Sequence, residues 1–219
     1  MALHITTYTG IDFKPLEPKA EEIAIEDIAH SLSLLCRANG HYEEFYSVAA
    51  HSINCYDEAC ARSQTERVKL ACLLHDAAEA YISDIPRPVK VDLPGIDEIE
   101  DRIINLVYEK FVGSPLSEYE LSTVKSIDDA MLYYEFYEYK GIKLFEEMPY
   151  VASTPLYYDD TPKQVERKFL EIFRELTGER LDRENERIRL HVKGEPLPTG
   201  VKFKLRVEPE EDRESEEEE

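Results

Sequence analysis

The chain has 219 residues, 42% of them hydrophobic, which suffices for one sizeable domain with an appendage and excludes a chain disordered throughout. Its formal charge of −21 repels polyanions, so nucleic acid is not the expected partner, whereas a small anion is admissible wherever basic residues cluster. No run approaches the roughly 18 apolar residues of a membrane span, and MALHITTYTG lacks a basic start with an apolar stretch, so a soluble, cytoplasmic protein without a membrane partner is expected.

Residues 1–22 read as an irregular segment, punctuated by Gly10, Pro15 and Pro18. A helix is predicted over 25–38, because Ile25, Ile28, Ala29, Leu32 and Leu35 recur at three- and four-residue steps before Asn39-Gly40 stops it. A second helix is predicted over 44–62. A third starts at Ser63 or Thr65, carries Glu66 in its first turn and runs to residue 82. Pro86 and Pro88 then predict an extended segment. Helices follow over 96–112, 117–140 and 162–178, the last opened by Thr161-Pro162 at cap and first-turn positions. Residues 23–180 therefore read as one all-α domain. Beyond it, IRLHVKGEPLPTGVKFKLRV alternates apolar and polar residues around a Gly/Pro-rich connection. That predicts a β-hairpin of 188–192 with 201–207, inside an extension over 181–207. Residues 208–219 hold nine acids and one arginine, a self-repelling block expected to stay solvated and disordered. The four cysteines form no CxxC pair, and Cys36 and Cys72 lie in apolar runs where a free thiol acts as a small hydrophobe.

The chemistry lies in spacing. His51 stands in FYSVAAHS, His75 and Asp76 in LACLLHDAAEAYISDIPRPVK, and Asp128 in VKSIDDAMLYYE. Two imidazoles and two carboxylates on separate helical stretches can converge on one divalent ion, and the mixed nitrogen and oxygen set suits Zn, Mn, Co, Fe or Ni better than Ca or Mg. On a helix, His75 and Glu79 are i and i+4, Asp76 and Glu79 are i and i+3, and Lys125 and Asp128 are i and i+3. A lone histidine on an apolar face is usually a satisfied core residue. Here, however, two adjacent ionisable groups follow the apolar run LACLL, where burying them unpaired would cost about several kcal/mol, and a metal relieves that penalty. Glu79, Asp84, Lys90 and Lys125, close by in sequence, are the acid/base and phosphate-binding types that a hydrolase needs.

The order His, His-Asp, Asp resembles the HD superfamily of metal-dependent phosphohydrolases. The stretch HDAAEAYISDIPRPVK is similar to the segment after the HD pair in bacterial 5′-deoxynucleotidases. The stretch IEDIAHSLSLLCRANGHYEEFYSVAAHS resembles phage-associated members of that branch, which include dATP triphosphohydrolases. The resemblance spans residues 10–175, so the hairpin and acidic tail inherit nothing from it.

The resemblance implies an all-α HD-domain helical bundle with one divalent transition metal on His51, His75, Asp76 and Asp128. Lys125, three residues before, favours Asp128 over Asp129 as the ligand. It also implies that Glu79 orients or deprotonates water, that Asp84 protonates the leaving group, and that Arg37, Lys90 and Lys125 contact phosphate, with Arg87 a weaker choice. His41 is a further choice for touching substrate. Phe45 and Tyr46 read either as a base-stacking pair or as core, and His30 as structural. Tyr133, Tyr134, Tyr137 and Tyr139 read either as helix packing or as a dimer face, since relatives are commonly homo-oligomers. The implied reaction is release of phosphate from a deoxynucleoside 5′-monophosphate. Removal of triphosphate from dATP is the alternative, and a non-catalytic nucleotide-sensing or protein-binding module is the rival of another class. Ala80, where alarmone hydrolases place Asp, and the lack of a GYP motif disfavour those two branches.

Overall fold

The computed structural model describes residues 3–155 and 160–178, so the expected hairpin and acidic tail lie outside the described residues. The described part is predominantly helical, as expected of an all-α domain, with one two-stranded sheet. That sheet pairs β1 (Ile5–Thr6) antiparallel with β2 (Asp12–Phe13), inside the segment predicted to be irregular. Asp27, buried on α1 (Ile25–Leu34), accepts from the Thr9 backbone N–H at 2.7 Å and the Thr9 hydroxyl at 2.9 Å, which ties the turn between the strands to the helix. Phe13 is buried and stacks on Tyr81, with ring centroids 3.9 Å apart.

α1 stops earlier than the periodicity predicts. Leu35 and Cys36 are extended, with ψ of 122° and 125°, and Cys36 bridges to Ser47. The Val48 N–H then donates to Leu35 and the Arg37 N–H to Tyr46. These pairings satisfy backbone groups that a longer helix would have satisfied internally. A tight turn follows at Arg37–Gly40, with Ala38 and Asn39 both at φ 51°, a region that asparagine tolerates better than alanine. The apolar spacing at Leu35 had carried the prediction through this break. α2 (Val48–Ala61) starts later than residue 44, because the Ser47 side chain caps it by accepting from the Ala50 N–H.

α3 (Glu66–Leu74) is capped by Thr65 and does not run unbroken to residue 82. Between it and α4 (Glu79–Ile82) the N–H groups of Ala77, Glu79 and Ala80 bond three residues back, tightening residues 75–78. The predicted extended segment at Pro86 and Pro88 is instead a short helix, α5 (Arg87–Lys90). Proline in a first turn loses no hydrogen bond, so it opens this helix rather than preventing it. α6 (Ile96–Val107) continues into a wide π-turn at Tyr108–Val112, as the predicted 96–112 span requires. α7 (Glu118–Lys140) and α8 (Pro162–Thr177) match their predictions closely. Both open with reciprocal capping boxes, Ser117 with Glu120 and Thr161 with Gln164, and end at left-handed Gly141 and Gly178.

α2 packs on α3, α7 crosses both, and α8 covers α1. Ile28, Leu32, Ile53, Leu73, Leu74, Ile127, Phe169 and Phe173 fill the interior between them. Among the described residues no helix is long and apolar enough to cross a membrane.

Residues 141–155 form an irregular strap after α7, fastened to α2 by one carboxylate. Glu58, fully buried, accepts from the Ala152 N–H at 2.9 Å, from the Ser153 N–H at 2.7 Å and hydroxyl at 2.6 Å, and from Arg62 at 2.6 Å. Burial pushes the Glu58 carboxyl up, but the bonds from Ser153, Ala152 and Arg62 outweigh it and hold the group below the ordinary glutamate value. A depressed folded-state value stabilises above the unfolded-state value, about 4.3, and that contribution is lost as pH falls through the folded-state value. The Ala152 and Ser153 amides are therefore expected to be protected from hydrogen exchange at neutral pH and to lose protection in acid before the helices melt. Amide NMR checks this, and protection that survived until global unfolding would contradict the latch.

Candidate metal centre and its cavity

Three helical segments bring four side chains to one point: His51 from α2, His75 and Asp76 from the tightened turn after α3, and Asp128 from α7. His51 Nε2 lies 3.2 Å from His75 Nε2, 3.2 Å from an Asp128 oxygen and 3.8 Å from an Asp76 oxygen. His75 Nε2 lies 3.2 Å from Asp76 and 3.7 Å from Asp128. These separations are those of donors around a single ion with metal–ligand bonds of about 2.0–2.2 Å.

The tautomers are fixed from behind. His75 Nδ1 donates to the Cys72 carbonyl at 2.8 Å, and His51 Nδ1 donates to Glu135 at 2.5 Å. Each Nε2 therefore turns a lone pair toward the common point, where two lone pairs 3.2 Å apart repel unless a cation or proton sits between them. Burial and Arg37 push the His51 imidazole down, but neighbouring Cys55, Glu135 and Asp128 hold it well above its ordinary value. Burial pushes the Asp128 carboxyl up, and the two histidines more than reverse that, leaving it far below the usual carboxylate range. The donor set, two nitrogens and two carboxylates, fits a divalent transition metal.

Glu135 was not anticipated. It is 1% exposed, and besides His51 it accepts from Arg37 Nε at 3.1 Å and the Tyr46 hydroxyl at 3.0 Å; Asn54 in turn donates to that hydroxyl at 2.9 Å. Its sequence signal was available, since Glu135 lies seven residues, or two turns, after Asp128 on the same helix face. Tyr46 is thus core, not a stacking platform, and Phe45 is 46% exposed. Cys55 was also passed over. With His51 and His75 it forms a second compact donor group, its sulfur 3.4 Å from His51 Nε2. Burial pushes its thiol up to about 11, so it keeps its proton at neutral pH, and it is not part of the cavity wall.

Asp76 and Asp128 open onto a cavity of about 570 Å³, in whose wall Glu79, Asp84, Arg37 and Lys90 also lie. Glu79 is 5% exposed, and its Oε2 has no hydrogen-bond partner. Burial, then the charges of Asp76 and Asp84, push its carboxyl up to about 10, and burial likewise raises Asp84. Arg37, buried, also donates to Asp76 at 3.2 Å. Lys90 clasps both oxygens of Glu100 at 2.8 and 2.7 Å.

Lys125 stands apart from the other expected phosphate contacts. Its side chain is 66% exposed, pairs with Asp129 at 2.9 Å and takes no part in the cavity wall. Arg87 lies in the wall instead, 3.0 Å from both Asp128 and Asp129. Accordingly, Lys125→Ala is expected to change kcat/KM on a phosphate substrate by less than about twofold, because an exposed pair contributes little. Arg87→Ala is expected to lose about tenfold, the loss of one charged hydrogen bond. Steady-state kinetics on the two variants checks the order, and the reverse order would return Lys125 to the site.

No family model matches the chain. Over 128 residues it is 37% identical to "Uncharacterized protein YfdR" of Escherichia coli, a match covering 58% of this chain and 67% of that protein. The chain belongs to the YfdR family. It is also similar to "Uncharacterized protein RCAP_rcc00048" of Rhodobacter capsulatus, 41% identical over 102 residues, which is 44% of this chain and 52% of that protein.

Proposed function

We propose that this YfdR-family chain is an HD-domain phosphohydrolase that uses one divalent transition metal to release phosphate from deoxynucleoside 5′-monophosphates. One observation carries the reading: two imidazoles with their Nδ1–H groups committed elsewhere face each other and two carboxylates, and those carboxylates line a cavity. The ion held by His51, His75, Asp76 and Asp128 supplies a Lewis acid that draws charge from phosphorus and makes water more acidic.

The chain's own groups handle the rest. Arg37 and Lys90 neutralise phosphate oxygens, and Arg87 closes the charged wall beside Asp128. After burial, Asp76 is a shared negative neighbour that raises both Glu79 and Asp84. An ion on Asp76 would offset the negative charge that helps raise Glu79. Glu79 would then be a carboxylate able to take a proton from the attacking water, and Asp84, raised above an ordinary aspartate by burial, would deliver one to the departing 5′-oxygen. Glu79→Gln is therefore expected to lower kcat about a hundredfold or more while the ion stays bound. Metal analysis beside kinetics reads both, and an ion lost with Glu79 would make it a ligand.

The monophosphate is favoured over a triphosphate by the wall's charge. Arg37 and Lys90 serve one phosphate, Arg87 is held by Asp128 and Asp129, and Lys125 is absent from the wall, so the wall offers no further basic group for two more phosphates. Product analysis of the metal-loaded protein given dAMP and dATP in parallel tests this. Inorganic phosphate and deoxyadenosine from dAMP are expected. Intact triphosphate from dATP alone would reassign the reaction, and no turnover of either with metal bound would favour a nucleotide-sensing module.

A further inference from the structure

The cavity has two unlike halves. One holds the charged groups and the metal centre. The other is apolar: Leu132 and Phe136 from α7, Leu144 and Phe145 from the strap, and Tyr42. Phe136 meets Tyr42 edge-on at 5.6 Å, and Phe145 stacks on Tyr133 at 5.9 Å, so the ring faces are braced from behind while Phe145 stays 41% exposed. Tyr42 is 7% exposed, and its hydroxyl is buried without a hydrogen-bond partner. A buried hydroxyl without a partner is costly unless a ligand meets it.

We infer that this apolar half is the subsite for the flat heteroaromatic ring of the substrate, with the Tyr42 hydroxyl bonding a polar atom of the nucleoside and Glu58 positioning the strap that carries Leu144 and Phe145. The inference rests on the phosphohydrolase reading for the other half of the same molecule. It names what that reading lacks: the part of this chain that distinguishes a nucleotide from another phosphate ester. Stacked rings and apolar side chains accept any base face, while a single hydroxyl adds a directional preference. The subsite lies more than 80 residues from the metal-binding His51 in sequence for its strap half, and Glu58 joins the two by taking strap N–H groups on α2, two turns beyond His51. Glu58 is a positioning residue: it touches the strap and not the cavity wall.

The test compares dAMP with 2-deoxyribose 5-phosphate, the same ester without the ring, on metal-loaded protein. The wild type is expected to favour dAMP in kcat/KM by at least about tenfold, the worth of one stacked base. In Phe145→Ala that ratio is expected to fall toward unity, through KM rather than kcat. Glu58→Gln is expected to raise KM for dAMP in the same way. Phe45→Ala, outside the cavity, serves as the control and should leave the ratio unchanged. A wild-type ratio near unity, or equal losses on both esters in Phe145→Ala, would overturn the subsite. Saturation-transfer NMR with deoxyadenosine, which has no phosphate, separates this from the phosphohydrolase reading. Transfer to the ring protons that Phe145→Ala abolishes supports the subsite even if neither ester is cleaved. Cleavage of both esters without such transfer would overturn the subsite and leave the hydrolase standing.

Discussion

Replacing His75 by alanine is expected to remove bound metal and turnover together, with kcat falling by about a thousandfold or more because, in the proposed mechanism, both water activation and charge withdrawal depend on the ion. The turn carrying His75 already holds its shape through backbone bonds from Ala77, Glu79 and Ala80, so the variant should fold. Asp128→Asn should behave alike. It removes a charge that the two histidines hold far into the ionised state, so little of the ion's stabilisation survives it. Metal content after dialysis, read beside phosphate release, checks the pairing. Full turnover in a metal-free His75→Ala protein would end the proposed mechanism, whatever the substrate.

The second large effect is expected at a residue outside the proposed ligand set. Glu135 accepts from His51, Arg37 and Tyr46 at once and is almost wholly enclosed. Glu135→Ala leaves a buried guanidinium with only Asp76 and frees the His51 ring to rotate. Breaking a buried ion pair by removing one partner costs about 3–5 kcal/mol. Losing the group behind a metal-bound histidine lowers affinity about 10–100-fold. Calorimetric melting and a metal titration on the same variant should therefore both move. Glu135→Gln, which keeps an acceptor, should recover stability more than metal affinity, because it restores a hydrogen bond but not the charge opposite Arg37 and His51. A variant with unchanged metal affinity would reduce Glu135 to a packing role.

The convergence of His51, His75, Asp76 and Asp128 was legible because helical spacing and the strong cost of burying His75 and Asp76 after LACLL both pointed to it. The capped helices, α7 and α8, were legible for a similar reason: their ends are written in adjacent residues. The break after Leu34 was not. Leu35 keeps the apolar step, and the reason the helix stops is the pairing of Cys36 with Ser47 and of Leu35 with Val48, eleven and thirteen residues on. That break delivers Arg37 to Glu135 and Asp76, so the site's buried cation owes its place to a tertiary contact. Lys125 illustrates the opposite error. Its three-residue step to Asp128 invited a shared site, yet the four-residue step to Asp129 holds the side chain instead. The strap escaped altogether, because Glu58 grips main-chain N–H groups more than ninety residues away and backbone donors leave no signature in sequence.

The most direct measurement is anomalous X-ray scattering from crystals of the cobalt- or zinc-loaded protein, recorded at the metal edge. One ion per chain is expected, about 2.0–2.2 Å from His51 Nε2, His75 Nε2 and single oxygens of Asp76 and Asp128. An ion bound by Cys55 with both carboxylates unligated, or no ion at these four residues under saturating metal, would contradict the account.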